Sequence, residues 1–260
     1  MSAADGFTKL VEIMARLRAP GGCPWDREQT HDSIKPYLIE EAYEVIEAID
    51  AHDDGELCTE LGDVLLQIVF HAEMASARGA FAIDDVVRSI CDKMIRRHPH
   101  VFADTQVKDA AEVLRNWSKI KAEERRDHAD QSAIAGVPRA MPALLRAQRL
   151  SEKASRVGFD WSHPEHVLDK LQEELNELRA AFHLGDKEAV EAELGDLIAA
   201  AANFGRHLDL NAEDALTKAS DRFSRRFRYI EERLSEAGKD IRDTALPEQE
   251  ALWQEAKRRV

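Results

Sequence analysis

Two pairs of acidic residues stand at the spacing that a divalent metal site needs. Glu41 and Glu44 are three residues apart, as are Glu60 and Asp63, so each pair lies on one side of a helix. Together with Glu40 they form five acidic positions, which recur 133 residues later as Glu173, Glu174, Glu177, Glu193 and Asp196. Clustered carboxylate oxygens favour Mg²⁺ or Mn²⁺ over zinc. The pattern therefore predicts two oxygen-ligand metal sites in one chain.

Helical periodicity explains how these acids are positioned. Apolar residues at helical spacing begin at Leu38 and again at Leu57, and on a wheel of about 100° per residue both acidic pairs fall at about 300° and 240°. If the two helices pack antiparallel through their apolar stripes, the four carboxylates converge. The centres of the two pairs are equidistant from residue 52 in the first half and from Gly185 in the second, which predicts turns there.

The charge of such a cluster needs compensation. Like charges at helical spacing repel by roughly 0.2–0.5 kcal/mol per exposed pair. No lysine or arginine is expected among the acids, so a hard divalent cation would offset the repulsion. The alternative is that the acids form a solvated helix face, because glutamate favours helices. A level arrangement that occurs twice in register favours the metal site.

The constant offset predicts a tandem duplication. We expect an all-α fold built from two copies of a four-helix unit, with a first domain at 1–130, a linker at 131–145 and a second domain at 146–260. Gly136, Pro138 and Pro142 indicate the linker, and a charged helix from about Ala110 to Arg126 precedes it.

A basic cluster follows the acidic motifs in each half and is a candidate for binding phosphate. Its members are Lys93, Arg96 and Arg97 in the first half and Arg222, Arg225 and Arg226 in the second, at an offset of 129 residues. Arginine binds phosphate oxygens bidentately, and lysine acts as a point charge. Ordinary surface charge explains them equally well. Pro99 should stop the first helix after its basic residues, whereas no such residue interrupts the second.

Aromatic residues precede the first acidic helix of each half. Trp25 and Trp161 are candidates for stacking on a nucleobase, since such stacking tolerates any base. Core packing or a contact at the start of the helix is the favoured interpretation for most of these aromatics.

Composition restricts the classes of partner. The 260 residues carry a formal charge of −14, which argues against binding to a nucleic-acid polymer but not to a small polyanion with metal. We find no apolar run long enough for a membrane span or signal peptide. Three separated cysteines do not suggest a disulfide framework, so we expect a cytoplasmic protein.

The chain resembles the tandem-domain bacterial form of the MazG family of nucleoside triphosphate pyrophosphohydrolases. The resemblance covers nearly the whole length. Besides the acidic motifs, it is carried by Gly22-Cys-Pro-Trp-Asp26, Arg97-His-Pro-His-Val-Phe102, Asn116-Trp117 with Lys121-Ala-Glu-Glu-Arg125, and Val157-Gly-Phe-Asp-Trp161. The acidic motifs alone indicate only the wider all-α pyrophosphohydrolase superfamily, and the flanking motifs are more specific.

The resemblance implies hydrolysis of nucleoside triphosphates to monophosphates and pyrophosphate by a Mg²⁺-dependent homodimer, with water activated at the carboxylate-held metal. It implies that the second half is the main catalytic unit and that the first is a weak or inactive second site. It assigns metal binding to Glu174, Glu177, Glu193 and Asp196, and catalysis to Glu173, Glu174, Arg222 and Arg226. Arg222 departs from the family pattern, in which lysine is usual, so proton transfer there is not expected.

Two other functions fit parts of the pattern. A di-iron oxidase needs two ExxH motifs, and only Glu28-Gln-Thr-His31 has that form, outside the acidic helices. A non-catalytic helical module that senses nucleotides fits the first half best. Release of pyrophosphate with Mg²⁺ separates an enzyme from such a module.

Overall fold

A computed structural model describes residues 2–124 and 130–259, and all regular structure in these ranges is helical. The contacts divide the chain into two units, Met1–Ile120 and Lys121–Val260. The helices of the first unit, the last of which runs past its boundary, are α1 (Ala3–Arg18), α2 (Pro24–Glu28), α3 (Lys35–Ala51), α4 (Asp54–Ser76), α5 (Ile83–Arg97), α6 (Pro99–Phe102) and α7 (Ala110–Glu124).

The second unit contains the remaining helices, which are α8 (Ala143–Ser155), α9 (Pro164–Leu184), α10 (Lys187–His207), α11 (Ala212–Glu236) and α12 (Leu246–Arg259). A short 3₁₀ turn, Ile241–Asp243, precedes α12. The prediction of an all-α fold in two similar halves is confirmed. Helix α8 begins inside the predicted linker, and the end of the predicted charged helix at Arg126 lies outside the described residues.

The first helical hairpin turns where the spacing of the acidic pairs predicted. Helix α3 ends at His52, whose φ of 55° is left-handed. The side chain of Asp53 then accepts hydrogen bonds from the backbone N–H groups of Gly55 and Glu56, which caps α4. A left-handed residue followed by an N-cap reverses the chain within two residues, so α3 and α4 pack side by side.

The second hairpin repeats this design. Helix α9 ends at Gly185, where φ is 71°, and Asp186 caps α10 by accepting from the N–H groups of Glu188 and Ala189 at 3.1 Å each. The absence of a Cβ makes glycine the easiest residue to place in this conformation. The two hairpins therefore bring corresponding acidic residues to the same height in their units.

Each hairpin is held by a helix that precedes it. In the first unit α1 packs against α4, and the core contains Met14, Ile34, Val69 and Phe70. In the second unit α8 packs against α10 and α11, and α12 packs against α11. Val167 and Leu234 are 0% and 2% exposed. The acidic helices are thus supported from one side by apolar packing.

The apolar stripes that were expected to meet inside each hairpin remain partly exposed. Ile46 and Ile49 on α3 are 47% and 50% exposed, and Leu61 on α4 is 51% exposed. The prediction that these stripes are buried within the hairpin is wrong, because two helices cover only the flank that each turns to the other. In the second unit Leu194 and Ile198 of α10 are similarly exposed, at 46% and 45%. No described helix is long and apolar enough to cross a membrane.

Candidate functional site

The first unit gathers three glutamates from two helices. Glu41 and Glu44 on α3 and Glu60 on α4 each offer an oxygen, and these oxygens lie within 4.8 Å of one another. Burial raises the pKa of Glu41, and a hydrogen bond with Glu44 and the charges of Asp63 and Glu44 raise it further. Burial and then the charge of Glu44 likewise raise the pKa of Glu60. The carboxylates repel one another as the clustered arrangement requires.

The second unit gathers the corresponding glutamates. Glu174 and Glu177 on α9 and Glu193 on α10 have oxygens within 4.8 Å of one another, and Glu174 is 6% exposed. Burial raises the pKa of Glu177, and the charges of Glu174, Glu193 and Glu173 add to the shift. The duplicated sequence therefore produces the same three-glutamate group twice, once in each unit.

One basic residue enters the second group. The ammonium of Lys170 lies 2.7 Å from a carboxylate oxygen of Glu173 and 2.8 Å from one of Glu174. The hydrogen bonds with these two glutamates raise the pKa of Lys170. The expectation that no lysine lies among the acids is wrong here, because Lys170 is one helical turn before Glu174 and its side chain reaches forward along α9.

The two aspartates of the motifs lie differently from the glutamates. Asp63 is half-buried, and its charge acts on both Glu41 and Glu60. Asp196 is exposed on α10, one turn beyond Glu193, and is outside the group of three. An aspartate side chain is one methylene shorter than a glutamate, so from the same helical position it reaches less far into the group.

The neighbouring acids and His31 complete the account of the predicted ligands. Glu40 is exposed, and Glu173, although also exposed, is held by Lys170. His31 does not join the carboxylates. Its Nδ1 lies 2.8 Å from Nδ1 of His71, and the two rings are parallel within 2°. The only ExxH motif near the acidic helices therefore contributes to an imidazole pair and not to a di-iron centre.

The donor set of each group fits a hard divalent cation. Three carboxylates from facing helices, with oxygens within 4.8 Å and three raised pKa values, match the oxygen ligands of Mg²⁺. The described groups contain no cysteine or histidine, which zinc would prefer. Glu41 or Glu174, each the most buried glutamate of its group, would be the innermost ligand.

The basic clusters differ between the units as the helix-breaking proline predicts. Helix α5 ends at Arg97, and α6 starts at Pro99, so Arg97 is the last residue of its helix. Lys93 and Arg97 are half-buried, and Arg96 is exposed. In the second unit Arg222, Arg225 and Arg226 lie in the middle of α11, which runs on to Glu236 without a break.

Arg226 differs from its neighbours in burial and contacts. It is half-buried, its Nε is buried without a hydrogen-bond partner, and its guanidinium lies 5.9 Å from the ring centroid of Trp253 on α12. Lys257 approaches the same ring at 5.9 Å. Trp253 and Lys257 were not predicted as functional residues, because α12 follows the duplicated segment and has no counterpart that the repeat could reveal.

The aromatic residues before each acidic helix are not core residues. Trp25, Phe159 and Trp161 are 52%, 76% and 38% exposed. The favoured interpretation of core packing is therefore wrong for these three, because the segments that carry them run along the surface of their units. Trp25 contacts Tyr37, with ring centroids 6.3 Å apart, and both line a cavity of about 330 Å³ that reaches Glu41.

Asp160 anchors the segment that carries Trp161 to α10. Its carboxylate accepts hydrogen bonds from both terminal nitrogens of Arg206 and lies 2.9 Å from Nε2 of His207. Although burial acts to raise it, the pKa of Asp160 is lowered because Arg206 donates hydrogen bonds and both partners contribute positive charge. The motif Val157–Trp161 thus has a structural role through its aspartate.

We expect Asp160→Asn to lower the free energy of unfolding by about 1–3 kcal/mol at pH 7, since it leaves charged partners half-buried. A lowered pKa stabilises the fold above the unfolded value of about 3.9 and loses its effect as the pH falls through the folded value. The difference between the variant and the wild type should therefore shrink at pH 3. Urea denaturation followed by circular dichroism at both pH values measures it.

The exposed, unpaired Asp169 supplies the matched control, and Asp169→Asn should change stability little at either pH. A destabilisation by Asp160→Asn that is equally large at pH 3 and pH 7 would contradict the charged interaction.

Comparison with known proteins identifies the same duplicated segments. The family model described as MazG nucleotide pyrophosphohydrolase domain matches residues 29–102 and 162–230, two matches that begin 133 residues apart. A nucleoside triphosphate pyrophosphohydrolase of Escherichia coli strain K12 is 46% identical over 253 residues, or 96% of each chain. The nucleoside triphosphate pyrophosphohydrolase/pyrophosphatase MazG of Thermotoga maritima is 46% identical over 251 residues, covering 96% of this chain and 95% of the relative.

Proposed function

Because the chain belongs to the MazG nucleotide pyrophosphohydrolase family, we propose that it hydrolyses ribo- and deoxyribonucleoside triphosphates to monophosphates and pyrophosphate in the presence of Mg²⁺. The observation that carries this proposal is the group formed by Glu174, Glu177 and Glu193 on the matched helices. An acidic group has no attraction for a triphosphate by itself, so a cation must join the two.

We assign Mg²⁺ to Glu174, Glu177 and Glu193, with Asp196 able to join from the next turn of α10, and Mn²⁺ is the expected substitute. The first unit would use Glu41, Glu44, Glu60 and Asp63 in the same way. When bound, the cation supplies neutralisation of phosphate charge and a lowered pKa of water. The three glutamates hold it in position from two helices whose shared turn is capped at both ends.

The chain's own side chains carry the remaining roles. Glu173 stands beside the glutamate group with an exposed carboxylate and is placed to accept the proton of the attacking water. Arg222 and Arg226 lie one turn apart on α11 and would offset the charge that develops on the phosphate oxygens during in-line attack. Arg225 and the first-unit residues Lys93, Arg96 and Arg97 are assigned to phosphate contacts at the margins.

We assign most of the catalysis to the second unit. Its basic residues lie within a continuous helix, whereas the corresponding helix of the first unit ends at Arg97. A mid-helix position fixes the direction of a side chain better than a helix end does, because all backbone hydrogen bonds around it are made. The first unit keeps its three glutamates and fits a weak or purely nucleotide-binding site.

The nucleobase is assigned to the exposed aromatic rings. Trp161 precedes α9 and Trp25 precedes α3, and each is exposed enough to stack on a flat ring. In the first unit the cavity beside Trp25 reaches Glu41, so a base held there would stand next to the metal ligands. Stacking of this kind accepts every base, which agrees with activity on several nucleotides.

We propose that the protein acts as a homodimer in the cytoplasm. The exposed stripes on α3, α4 and α10 form apolar surface of the kind that a second copy covers in symmetric oligomers. All three cysteines are free, as suits a reducing compartment. Light scattering at micromolar concentration tests the dimer, and a monomeric mass would contradict it.

The decisive experiment is an assay of pyrophosphate release over a panel of ribo- and deoxyribonucleoside triphosphates. We expect turnover with Mg²⁺ or Mn²⁺ and its complete loss with EDTA, restored when excess Mg²⁺ is added back. Release of orthophosphate in place of pyrophosphate would contradict attack between the α and β phosphates. Tight binding of a triphosphate without turnover in Mg²⁺ or Mn²⁺ would instead indicate a nucleotide-binding module.

A further inference from the structure

The two carboxylate groups differ in one side chain. In the second unit the ammonium of Lys170 bonds to Glu174, which is both a member of the three-glutamate group and only 8% exposed at its side chain. It also lies close enough for its charge to act on Glu177. Lys170 therefore places a positive charge against the same carboxylates that would hold a metal ion.

The duplication places a tyrosine at the corresponding position of the first unit. Residue 37 stands 133 positions before Lys170, and Tyr37 packs its ring near Trp25 and lines the cavity. Glu41, the counterpart of Glu174, is instead 3.4 Å from the side-chain amide of Gln67. Within residues 2–124 and 130–259, neither Glu41, Glu44 nor Glu60 forms an ion pair.

We propose that Lys170 is an internal counter-ion that occupies the second carboxylate group until metal and triphosphate arrive together. This inference rests on the proposed metal role of the glutamates and concerns the order in which their ligands bind. A divalent cation that enters alone must displace the ammonium from Glu174 or accept its repulsion at close range. The second unit therefore binds free metal more weakly than the first unit, which has the same three glutamates and no lysine.

The triphosphate relieves this competition. Lys170 has a flexible side chain that is 32% exposed, and its ammonium has three hydrogen-bond donors, two of which are used by Glu173 and Glu174. When a phosphate oxygen is present, the ammonium can leave the carboxylates and bind the phosphate as a point charge. Metal and triphosphate then favour each other's binding in the second unit, which protects it from being occupied by metal alone.

The test measures Mn²⁺ affinity by electron paramagnetic resonance on the full-length chain, without nucleotide. Glu60→Gln weakens the first site so that the second can be measured, and Glu193→Gln serves the opposite purpose. In the Glu60→Gln background, Lys170→Met should tighten Mn²⁺ binding about tenfold, because it removes the competing charge and keeps the apolar stem. Lys170→Arg, which keeps a cation, should leave the affinity close to that of the Glu60→Gln background.

The reciprocal exchange provides the matched control. In the Glu193→Gln background, Tyr37→Lys should weaken Mn²⁺ binding to the first unit about tenfold, since it introduces the counter-ion that this unit lacks. A triphosphate analogue with a methylene bridge between the α and β phosphates should then tighten Mn²⁺ binding more with Lys170 present than with Lys170→Met. A general loss of structure would weaken binding in every variant and cannot produce the gain expected from Lys170→Met.

The outcomes separate this inference from the function on which it rests. Unchanged or weaker Mn²⁺ binding by Lys170→Met, in a protein that still binds Mn²⁺ through its glutamates, overturns the counter-ion role alone. If neither unit binds Mn²⁺ in any variant, with or without the analogue, the metal assignment and the counter-ion role both fail.

Discussion

Glu193→Gln should reduce pyrophosphate release by about 10²–10³-fold at saturating Mg²⁺. The substitution replaces one of three converging carboxylates with a neutral amide and keeps the shape of the side chain, so the group loses charge without losing packing. A metal ion contributes several kcal/mol of transition-state stabilisation, and each 1.36 kcal/mol corresponds to about tenfold in rate. Initial rates over a range of Mg²⁺ concentrations measure the loss.

The duplicated sequence offers two comparisons for this variant. Glu60→Gln makes the same change at the corresponding position of the first unit and should cause a much smaller loss if the second unit carries most of the catalysis. Glu191→Gln alters an exposed glutamate on α10 that is outside the group, and its activity should match the wild type. Equal losses from Glu60→Gln and Glu193→Gln would show two working sites.

The aspartates extend the comparison. Asp196→Asn should also abolish turnover, and by more than Asp63→Asn, because Asp196 belongs to the unit to which catalysis is assigned. Asp196 reaches the metal from outside the three-glutamate group, so its substitution tests whether the fourth carboxylate closes on the cation when substrate is present. Near-normal activity of Asp196→Asn at saturating Mg²⁺ would remove that role and leave the three glutamates as the complete set.

Arg226→Lys should lower kcat/KM by about 10²-fold. The guanidinium is held against Trp253, and its Nε has no hydrogen-bond partner in the free protein, so its donors are available to phosphate oxygens. Lysine keeps the charge but loses the planar pair of donors that binds phosphate bidentately, and removal of one such oriented donor costs about 10²–10³ in rate. Steady-state kinetics with a single triphosphate separate the effect on kcat from that on KM.

Arg228→Lys is the matched control on the same helix. Arg228 is exposed two residues further on, so it points away from the direction of Arg226. The control should retain wild-type kinetics and thermal stability. If Arg226→Lys alters only thermal stability and leaves kcat/KM unchanged, the arginine acts in packing against Trp253 and not on the substrate.

Much of the fold follows from local features of the chain. The helical spacing of Leu38 and Leu57 with their acidic neighbours predicted α3 and α4, and the equal distances from residue 52 and Gly185 predicted both turns. These predictions succeed because helix periodicity, a left-handed residue and an N-cap aspartate act within a few residues. Pro99 ends α5 for an equally local reason, as it cannot continue a helix.

The errors concern where side chains point after the helices pack. Lys170 was overlooked among the acids although it stands one turn before Glu174, because the repeat was read from the conserved acidic positions and residue 37 is a tyrosine. Trp25 and Trp161 were expected to be buried, yet both are exposed. Their hydrophobicity is a property of the residue, whereas their burial depends on which surfaces the surrounding helices leave free.

The sequence by itself determined the helices, the tandem repeat and the set of carboxylates that can bind a cation, since these depend on short-range backbone preferences and on the chemistry of the residues. Only the tertiary structure decided which carboxylates converge and which cation they contact first. It joins three glutamates while Asp196 stays outside, and it bonds Lys170 to Glu174. Reach, rotamer and helix separation set these distances, and each depends on how whole helices pack against one another.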